Sequence, residues 1–407
     1  MSEWKYCDFG KVPISWDVKK IIDIKDDDKR SIAMGPFGSN IKAENFVEKG
    51  VPVIRGTNMN YEKFVSGQFV FLTEQKANEL IASNCFAGDL VFTHRGTIGQ
   101  VALIPKNKYP RYVISQSGMK LTVNPSLVDN EFLFYFFKSE YGQYQILKYE
   151  SQVGVPSISN PLTSLKEMEV PVPSLPEQKA ISSVLRSLDD KIDLLHRQNL
   201  TLEKMAETLF RQWFVEEAKP EWEEGKLGQE FDFTMGMSPP GESYNEEFVG
   251  IPMYQGNADF DFRFPKRRVY TTNPKRIAQK HDTLISVRAP VGAQNMANEN
   301  CCIGRGVAAF RYKKNKSFYS YTYYKVMSLL EDIKQFNETG TVFGSISKND
   351  FESIDIIIPN DEVIVKFQNK VKVIDDKIFL NSKQIRTLTT LRDTLLPKLM
   401  SGEIRVV

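Results

Sequence analysis

From Pro176 to Phe214 the chain reads PEQKAISSVLRSLDDKIDLLHRQNLTLEKMAETLFRQWF. After the first residue it runs for about 38 residues without Gly or Pro, longer than an ordinary globular helix. Its apolar positions alternate in steps of four and three, the heptad spacing of a left-handed coiled coil. This seam consists of Ile181, Leu185, Leu188, Ile192, Leu195, Asn199, Leu202, Ala206 and Leu209. The pattern predicts a long helix that packs along a partner helix.

The same pattern recurs near the end of the chain, where Asp189–Ile192 (DDKI) is repeated as Asp375–Ile378. The second seam consists of Phe367, Val371, Ile374, Ile378, Asn381, Ile385, Leu388, Arg392 and Leu395. Each seam holds one Asn near its middle, Asn199 and Asn381, and a buried polar residue there commonly fixes the register. We expect the two helices to pair antiparallel with each other. The alternative is that each packs on its own globular domain.

Further segments repeat in the same order, with an offset that drifts from 186 to 206 positions. They pair Trp16 with Trp222, Gly50–Val53 with Gly250–Met253, Arg95–Gly99 with Arg288–Gly292, Gly154–Ser159 with Val342–Ser347, and Thr208-Leu209 with Thr394-Leu395. Loop insertions in one copy would produce such a drift, so we interpret the chain as two copies of a unit of about 200 residues related by a pseudo-two-fold. The expected domains are a first head at 1–175, a central helix at 176–215, a second head at 216–360 and a C-terminal helix and tail at 361–407.

Each head has the pattern of a mixed α/β (α+β) domain with many short strands. The predicted strands are Val51–Arg55, Gln68–Leu72, Leu90–Thr93, Val101–Ile104, Met119–Val123, Met253–Gln255, Thr283–Val287, Cys302–Ile303 and Ala308–Tyr312. The predicted helices are Glu74–Ala82, Asp129–Ser139 and Ser317–Ile333. The expected fold is two mixed α/β domains separated by a two-helix antiparallel coiled coil.

The composition is that of an ordinary globular protein, with 41% hydrophobic and 26% charged residues. No apolar run approaches the ~20 residues that span a bilayer, and the first residues lack the pattern of a signal peptide. We therefore expect a cytoplasmic protein without membrane contact. The four cysteines show no CxxC spacing and the three histidines are scattered, so the sequence predicts no metal site and reduced thiols.

Polar loops follow strands at equivalent places in both copies, such as Arg55–Asn58 and Gln255–Asn257. Arg pairs well with guanine edges, Asn and Gln pair with adenine, and Gly lets backbone approach a phosphate. The candidate DNA-binding residues are Arg55, Asn58, Arg95, Thr97, Ser157, Asn257, Lys266, Arg267, Arg268, Arg288 and Ser345. For any single loop the alternative is a hairpin turn with a surface Arg.

Charge points to nucleic acid more through its distribution than through the net value of +2. Seven basic residues fall within eighteen positions: Arg263, Lys266, Arg267, Arg268, Lys275, Arg276 and Lys280. A solvated surface stretch is the alternative interpretation of this cluster.

Four segments, Val170–Lys179, Leu188–Asp193, Leu209–Phe214 and Leu391–Ile404, resemble the specificity subunits of Type I restriction–modification enzymes. The resemblance covers the whole chain and implies two target-recognition domains, each reading one half of a bipartite double-stranded DNA target. It also implies helices that set the spacer and scaffold the partner subunits. The second copy departs from the family pattern, because Pro359–Lys366 lacks the Pro-Glu-Gln of the first helix start.

By the same resemblance, two methyltransferase subunits would bring S-adenosylmethionine and methylate adenine, and two restriction subunits would use ATP and Mg. This chain is expected to carry no cofactor and to be no enzyme. In agreement, it has no Asn-Pro-Pro-Tyr or Asn-Pro-Pro-Phe motif, no GxGxxG after a strand and no Walker motif. The alternatives are a single-chain nuclease or methyltransferase, a coiled-coil adaptor whose heads bind protein, and a DNA reader that works outside restriction.

Overall fold

The computed structural model describes residues 3–59, 62–151, 154–288, 290–339 and 345–406. The chain divides into two compact units, one formed by Met1–Leu194 with Ile385–Val407 and the other by Leu195–Gln384. Both divisions fall inside long helices, so each unit contains one head and a part of both helices. Among the described residues no helix is long and apolar enough to cross a membrane.

The first head is built from short strands and short helices. Its strands are β1 Trp4–Cys7, β2 Gly10–Pro13, β3 Asp17–Lys20, β4 Ile32–Met34, β5 Phe46–Val47, β6 Val51–Ile54, β7 Val70–Leu72, β8 Asn84–Cys85, β9 Leu90–Thr93, β10 Val101–Leu103, β11 Tyr112–Ile114, β12 Gly118–Leu121, β13 Glu150–Ser151, β14 Ser157–Ile158 and β15 Glu169–Val172. Its helices are α1 Ile21–Ile24, α2 Glu74–Glu79, α3 Asn130–Lys138, α4 Glu140–Leu147 and α5 Pro161–Glu167.

Two sheets form the centre of this head. The five-stranded sheet has the order β5-β7-β6-β11-β8, with β6 and β11 parallel and the other neighbours antiparallel. The four-stranded antiparallel sheet has the order β10-β9-β12-β4 and packs against α3. Helix α3 buries every residue from Phe132 to Phe137. Asp129 caps it by accepting a 2.8 Å hydrogen bond from the Phe132 amide.

The second unit repeats these elements. Its strands are β16 Glu223–Lys226, β17 Phe231–Met235, β18 Tyr244–Asn245, β19 Ile251–Tyr254, β20 Val269–Thr271, β21 Ile277–Ala278, β22 Thr283–Ser286, β23 Gln294–Met296, β24 Cys301–Ile303, β25 Val307–Tyr312 and β26 Asp355–Ile358. Between the long helices α6 Leu175–Arg211 and α11 Asp361–Met400 lie α7 Leu227–Glu230, α8 Tyr319–Ser328, α9 Leu330–Thr339 and α10 Lys348–Ser353.

The strand orders confirm the internal repeat. The order β18-β20-β19-β24-β21 matches the first five-stranded sheet, including the one parallel pair, β19 with β24. The order β17-β25-β22-β23 matches the first four-stranded sheet. In both heads an early strand also pairs antiparallel with the strand that directly precedes the following long helix, β3 with β15 before α6 and β16 with β26 before α11. The mixed α/β fold class of the two heads is therefore confirmed.

The predicted strands lie within one or two residues of the observed ones, whereas two predicted helices are wrong in their extent. Ser317–Ile333 is broken into α8 and α9, because Leu329 leaves the helical region with φ −102° and ψ 3°. The predicted helix at Glu74–Ala82 ends at Glu79, and a short 3₁₀ turn follows at Ile81–Ser83.

The long helices pair antiparallel, and the pairing is visible inside each unit. In the first unit Arg392 on α11 donates a 3.0 Å hydrogen bond to Asp189 on α6. In the second unit the Phe210 and Phe367 rings lie 5.5 Å apart. Within the second unit alone, Asn199 contacts Asn381 and Phe210 contacts Phe367. The residue number thus falls along α11 as it rises along α6, which defines an antiparallel pair. Every position of both predicted seams is buried or half-buried.

The two seam asparagines meet inside the second unit. Asn381 Nδ2 donates a 3.0 Å hydrogen bond to Asn199 Oδ1, and Asn199 Nδ2 lies 3.3 Å from Ser382 Oγ. Both Asn side chains are fully buried. A buried polar pair is stabilising only while both partners are present, so this contact defines one register of the helix pair.

Replacing Asn381 by Leu is expected to destabilise the second unit by about 1–3 kcal/mol, because the buried Oδ1 of Asn199 then loses its hydrogen-bond donor. Replacing both asparagines by Leu should restore at least the original stability, since an apolar seam needs no hydrogen bonds. Denaturant unfolding of the full-length single and double variants measures both values. A double variant that is as unstable as Asn381→Leu would contradict the pairing.

Candidate nucleic-acid interface

The loop after β6 carries Arg55 and Asn58, and the structure gives them different roles. Arg55 is exposed, and its backbone amide donates to Asn58 Oδ1 over 3.0 Å. Asn58 is buried, and its Nδ2 donates to the carbonyls of Ser66 and Gln68 over 3.0 and 2.8 Å. The Asn58 amide is thus used within the head, where it fixes the loop that presents Arg55.

The hairpin after β9 presents Arg95 and Thr97, both exposed. It closes on itself through a hydrogen bond from the Thr93 hydroxyl to the Thr97 carbonyl. Gln100, at its far end, donates from Nε2 to the carbonyls of Gly56 and Met59 over 3.3 Å each. This amide joins the hairpin to the Arg55 loop, so the two predicted loops are neighbours.

A third segment joins the same surface in both heads. Ser157 pairs with Arg95 through a backbone bridge, and Ser345 pairs with Arg288 in the same way. The adjacent bond from Ile158 N to the His94 carbonyl measures 2.8 Å, and its counterpart from Ile346 N to Val287 measures 3.2 Å. Both heads therefore bring the predicted Arg and Ser together. Val342–Gly344, which belong to the repeated segment of the second copy, lie outside the described residues, as does Ala289.

In the second head the loop after β19 carries Asn257, which is exposed. The loop and Pro290 of the neighbouring hairpin line a cavity of about 410 Å³ that also includes Gln255 and Arg268. Arg268 Nη2 donates a 2.7 Å hydrogen bond to the buried carboxylate of Asp259. Asp259 in turn accepts the Gln255 amide over 2.6 Å. Arg268 therefore stabilises the loop through its contact with Asp259.

The basic cluster after Arg263 divides into surface and interior residues. Arg267 forms a two-pronged ion pair with Glu299, over 2.6 and 2.8 Å, and Lys266 lies 3.3 Å from Asp261. These side chains are about half exposed. Arg55, Arg95 and Arg288, by contrast, have no carboxylate within 4.0 Å among the described residues. They present a full charge to solvent.

Arg263 does not lie on the surface, so the interpretation of the whole cluster as exposed is wrong at this residue. Its side chain is 0% exposed and ion-pairs with Asp375 on α11 and, over 3.4 Å, with Glu203 on α6. The guanidinium lies 3.3 Å from the centre of the Tyr323 ring. Burial raises the pKa of both Asp375 and Glu203, and Arg263 opposes this effect. Arg263 thus attaches the second head to the helix pair.

A short turn that the sequence analysis did not select lies between the loops in each head. In the first head it is Ser115–Ser117, with Gln116 exposed at its tip. In the second head it is Gly304–Gly306, with Arg305 exposed at the equivalent place. Two glycines around one Arg directly after a strand are a turn signal that could have singled out Arg305.

His94, Cys85 and Cys301 are buried in the heads. Burial lowers the pKa of His94, whose Nε2 is hydrogen-bonded to the Gln116 carbonyl over 3.0 Å. Burial also raises the pKa of the Cys85 and Cys301 thiols, which disfavours the reactive thiolate. In the described part of the chain no group of His, Cys, Asp or Glu side chains has the arrangement of a metal site.

The model of the Type I restriction modification DNA specificity domain matches residues 15–204 and 219–389. The chain is 28% identical to the Type I restriction enzyme MjaIX specificity subunit of Methanocaldococcus jannaschii, over 100% of this chain and 97% of that protein. It is 29% identical to a second protein of this organism, provisionally named the type I restriction enzyme MjaX specificity subunit, over 99% of this chain and 97% of that protein.

A solved structure supports the fold. The crystal structure of a Type I restriction–modification system S subunit from M. genitalium superposes with a TM-score of 0.63 and 22% sequence identity. The match covers 95% of this chain and 96% of that one. The arrangement of short sheets and long helices is therefore shared along nearly the whole length of both chains.

Proposed function

Because the chain belongs to the family of Type I restriction–modification DNA specificity subunits, we propose that each head reads one half of a bipartite DNA target through its Arg-bearing loops, and that the helices set the spacer. The chain is the specificity component of a restriction–modification complex and not its catalytic component. In our proposal two methyltransferase subunits bring S-adenosylmethionine, and two restriction subunits bring ATP and Mg. DNA is the ligand, so we propose the cytoplasm as the compartment.

The observation that carries the proposal is the repetition of one polar surface in two heads. Arg95 with Ser157 and Arg288 with Ser345 occupy the same backbone positions in each copy. In both copies a positive φ, 90° at Gly99 and 88° at Gly292, ends the hairpin, a conformation that favours Gly. Two copies of one reading surface in a single chain suit a target that has two halves.

Within this surface we propose direct DNA contacts for the unpaired cations Arg55, Arg95 and Arg288. Thr97, Ser157, Asn257 and Ser345 flank them as neutral hydrogen-bonding groups. Lys266 and Arg267 are about half exposed, and we propose that they contact phosphates. Each must first leave the carboxylate with which it is paired. Asn58 and Arg268 are proposed to position loops, because their polar atoms are bonded within the head.

Replacing Arg95 or Arg288 by Ala should weaken DNA binding at the half-site of the affected head only. A lost two-pronged contact with guanine removes about 1–3 kcal/mol of discrimination at one base pair, whereas a lost phosphate contact weakens all sequences and flattens the salt dependence. Binding is measured with this chain in complex with its methyltransferase subunit, on duplexes that vary one half-site at a time and at several salt concentrations.

The matched controls are Arg30→Ala in the first head and Lys316→Ala in the second. Arg30 precedes β4 at the end of the sheet away from Arg95, and its side chain is 40% exposed. Lys316 is exposed as well. Both substitutions should change neither affinity nor salt dependence. Unchanged affinity and an unchanged salt slope in both Arg95→Ala and Arg288→Ala would remove these loops from the interface.

A further inference from the structure

The turn with Gln116 at its tip and the turn with Arg305 at its tip have the same backbone attachments. The amide of Ser115 donates to Ile54 over 2.9 Å, and the amide of Gly304 donates to Tyr254 over 2.8 Å. On the other side, the Ser117 and Gly306 carbonyls each accept a 2.9 Å bond, from His94 and Val287 respectively. Gln116 and Arg305 are therefore equivalent positions of the repeat.

These attachments place each tip in the middle of the proposed reading surface. The first bond ties the turn to the last residue of the strand that directly precedes Arg55 or Gln255. The second ties it to the strand that leads into the Arg95 or Arg288 hairpin. A DNA duplex that contacts both loops of one head must also face the residue between them.

Neighbouring backbone packs tightly against the turns and leaves no room for a side chain at the contacting glycines. A Cβ added at Gly236 would lie 2.0 Å from the Gly304 carbonyl oxygen, and one at Gly35 would lie 1.8 Å from that of Ser115. A Cβ at Gly306 would lie 2.1 Å from the Gln255 carbonyl oxygen. A side chain on such a tightly packed turn binds with little loss of backbone freedom.

Arg305 is also free of the ion pairs that occupy other arginines of its head. In the described ranges no carboxylate lies within 4.0 Å of its guanidinium, and Nε lies 3.3 Å from the Ser238 hydroxyl. Arg267 and Arg268 must each leave a carboxylate before they can bind DNA. Arg305 needs no such step.

We propose that Gln116 and Arg305 each read one base at equivalent positions of the two half-sites, adenine through Gln116 and guanine through Arg305. The assignment rests on the proposed function of the heads. A Gln amide offers one donor and one acceptor, which match N7 and N6 of adenine, and an Arg guanidinium offers two donors, which match O6 and N7 of guanine. The difference between these two side chains would make the half-sites differ at this base pair.

The test is selection of bound duplexes from a randomised pool by this chain in complex with its methyltransferase subunit. The wild-type complex first defines the two half-sites. Arg305→Gln is then expected to change the preference at one base pair of the second half-site from G·C to A·T, by about 5- to 150-fold. Gln116→Arg is expected to make the opposite change in the first half-site. Lys316→Gln, an exposed substitution away from the turn, should change nothing.

Arg305→Lys separates base reading from charge, because Lys keeps the positive charge and loses the two-pronged geometry. It should retain overall affinity and weaken the discrimination at that base pair. If Arg305→Gln instead weakens all sequences equally, or leaves every preference unchanged, the assignment is overturned while the two-head function stands. A wild-type complex without sequence preference would overturn the proposed function itself, and the assignment with it.

Discussion

Replacing Arg263 by Ala is expected to lower the free energy of unfolding of the second unit by about 3–5 kcal/mol, since it leaves buried carboxylates without their cation. The side chain of Arg263 is 0% exposed, and that of its partner Asp375 is 4% exposed. Tyr324 also donates to Asp375, over 3.3 Å, but a hydroxyl cannot replace the lost charge. Denaturant unfolding of the full-length chain measures the loss, and hydrogen exchange locates it within residues 195–384.

The loss of unfolding free energy in Arg263→Ala, relative to the wild type, should become smaller as the pH falls. Burial raises the pKa of Asp375 and Glu203 above their usual values, and removal of Arg263 raises it further. When the pKa of a carboxyl is higher in the folded than in the unfolded state, the free energy of unfolding falls as the pH rises through the folded-state pKa. Protonation at acid pH therefore removes the unpaired charge, so the deficit should be larger at pH 8 than at pH 5.

Arg267→Ala is the matched control for stability. Arg267 lies four residues away and also forms an ion pair, but its side chain is 51% exposed. Exposed pairs contribute about 0–1 kcal/mol, so this variant should unfold nearly as the wild type does. Equal losses in Arg263→Ala and Arg267→Ala would show that the buried contact does not hold the second unit together.

Inserting one heptad into each long helix is expected to change the spacing of the recognised DNA. The insertion points are after Leu194 and after Gln384, where the two compact units divide, so contacts within each unit are kept. Seven residues add about 10 Å of helix, and a duplex rises about 3.4 Å per base pair. The preferred spacer should therefore grow by about three base pairs, while both half-sites stay the same.

Duplexes with spacers one to five base pairs longer than the wild-type spacer measure this change. The longer spacer also turns one half-site by about a third of the ~10-base-pair helical repeat, so affinity should fall even at the new optimum. The control is a single heptad in α6 alone, which shifts the two seams out of register and should destabilise the helix pair. A double-insertion complex that still binds and keeps the wild-type spacer would show that the helices do not set the distance.

Local periodicity explains what the sequence could predict. The two seams are heptad patterns, and the short strands of the heads are bounded by turn residues, so both follow from spacing alone. The pairing of Asn199 with Asn381 does not, because the two residues stand at different heptad positions and meet only in the antiparallel register.

The candidate interface shows the same limit. Arg95 and Arg288 were found because a repeated motif surrounds them, and their pairing with Ser157 and Ser345 required the tertiary structure. Arg263 was grouped with Lys266–Arg268 because it lies close to them in sequence, but those neighbours are exposed and Arg263 is buried. Its burial depends on Asp375, which is 112 positions away. Arg305 was missed because a turn of glycines and one Arg does not show which loops lie beside it.

The buried ion pair between Arg263 and Asp375 affects how such a chain can acquire new heads by recombination. The first Asp of each DDKI repeat accepts a hydrogen bond from a tyrosine hydroxyl of its head. Tyr135 donates to Asp189 over 2.8 Å, and Tyr324 donates to Asp375. The balancing cation differs: Arg392 on a helix serves Asp189, whereas Arg263 in the head serves Asp375. When a new first head replaces the old one, the cation that balances Asp189 is therefore already present on α11 of the recipient chain. An incoming second head must carry its own, which restricts the donors from which a functional exchange can come.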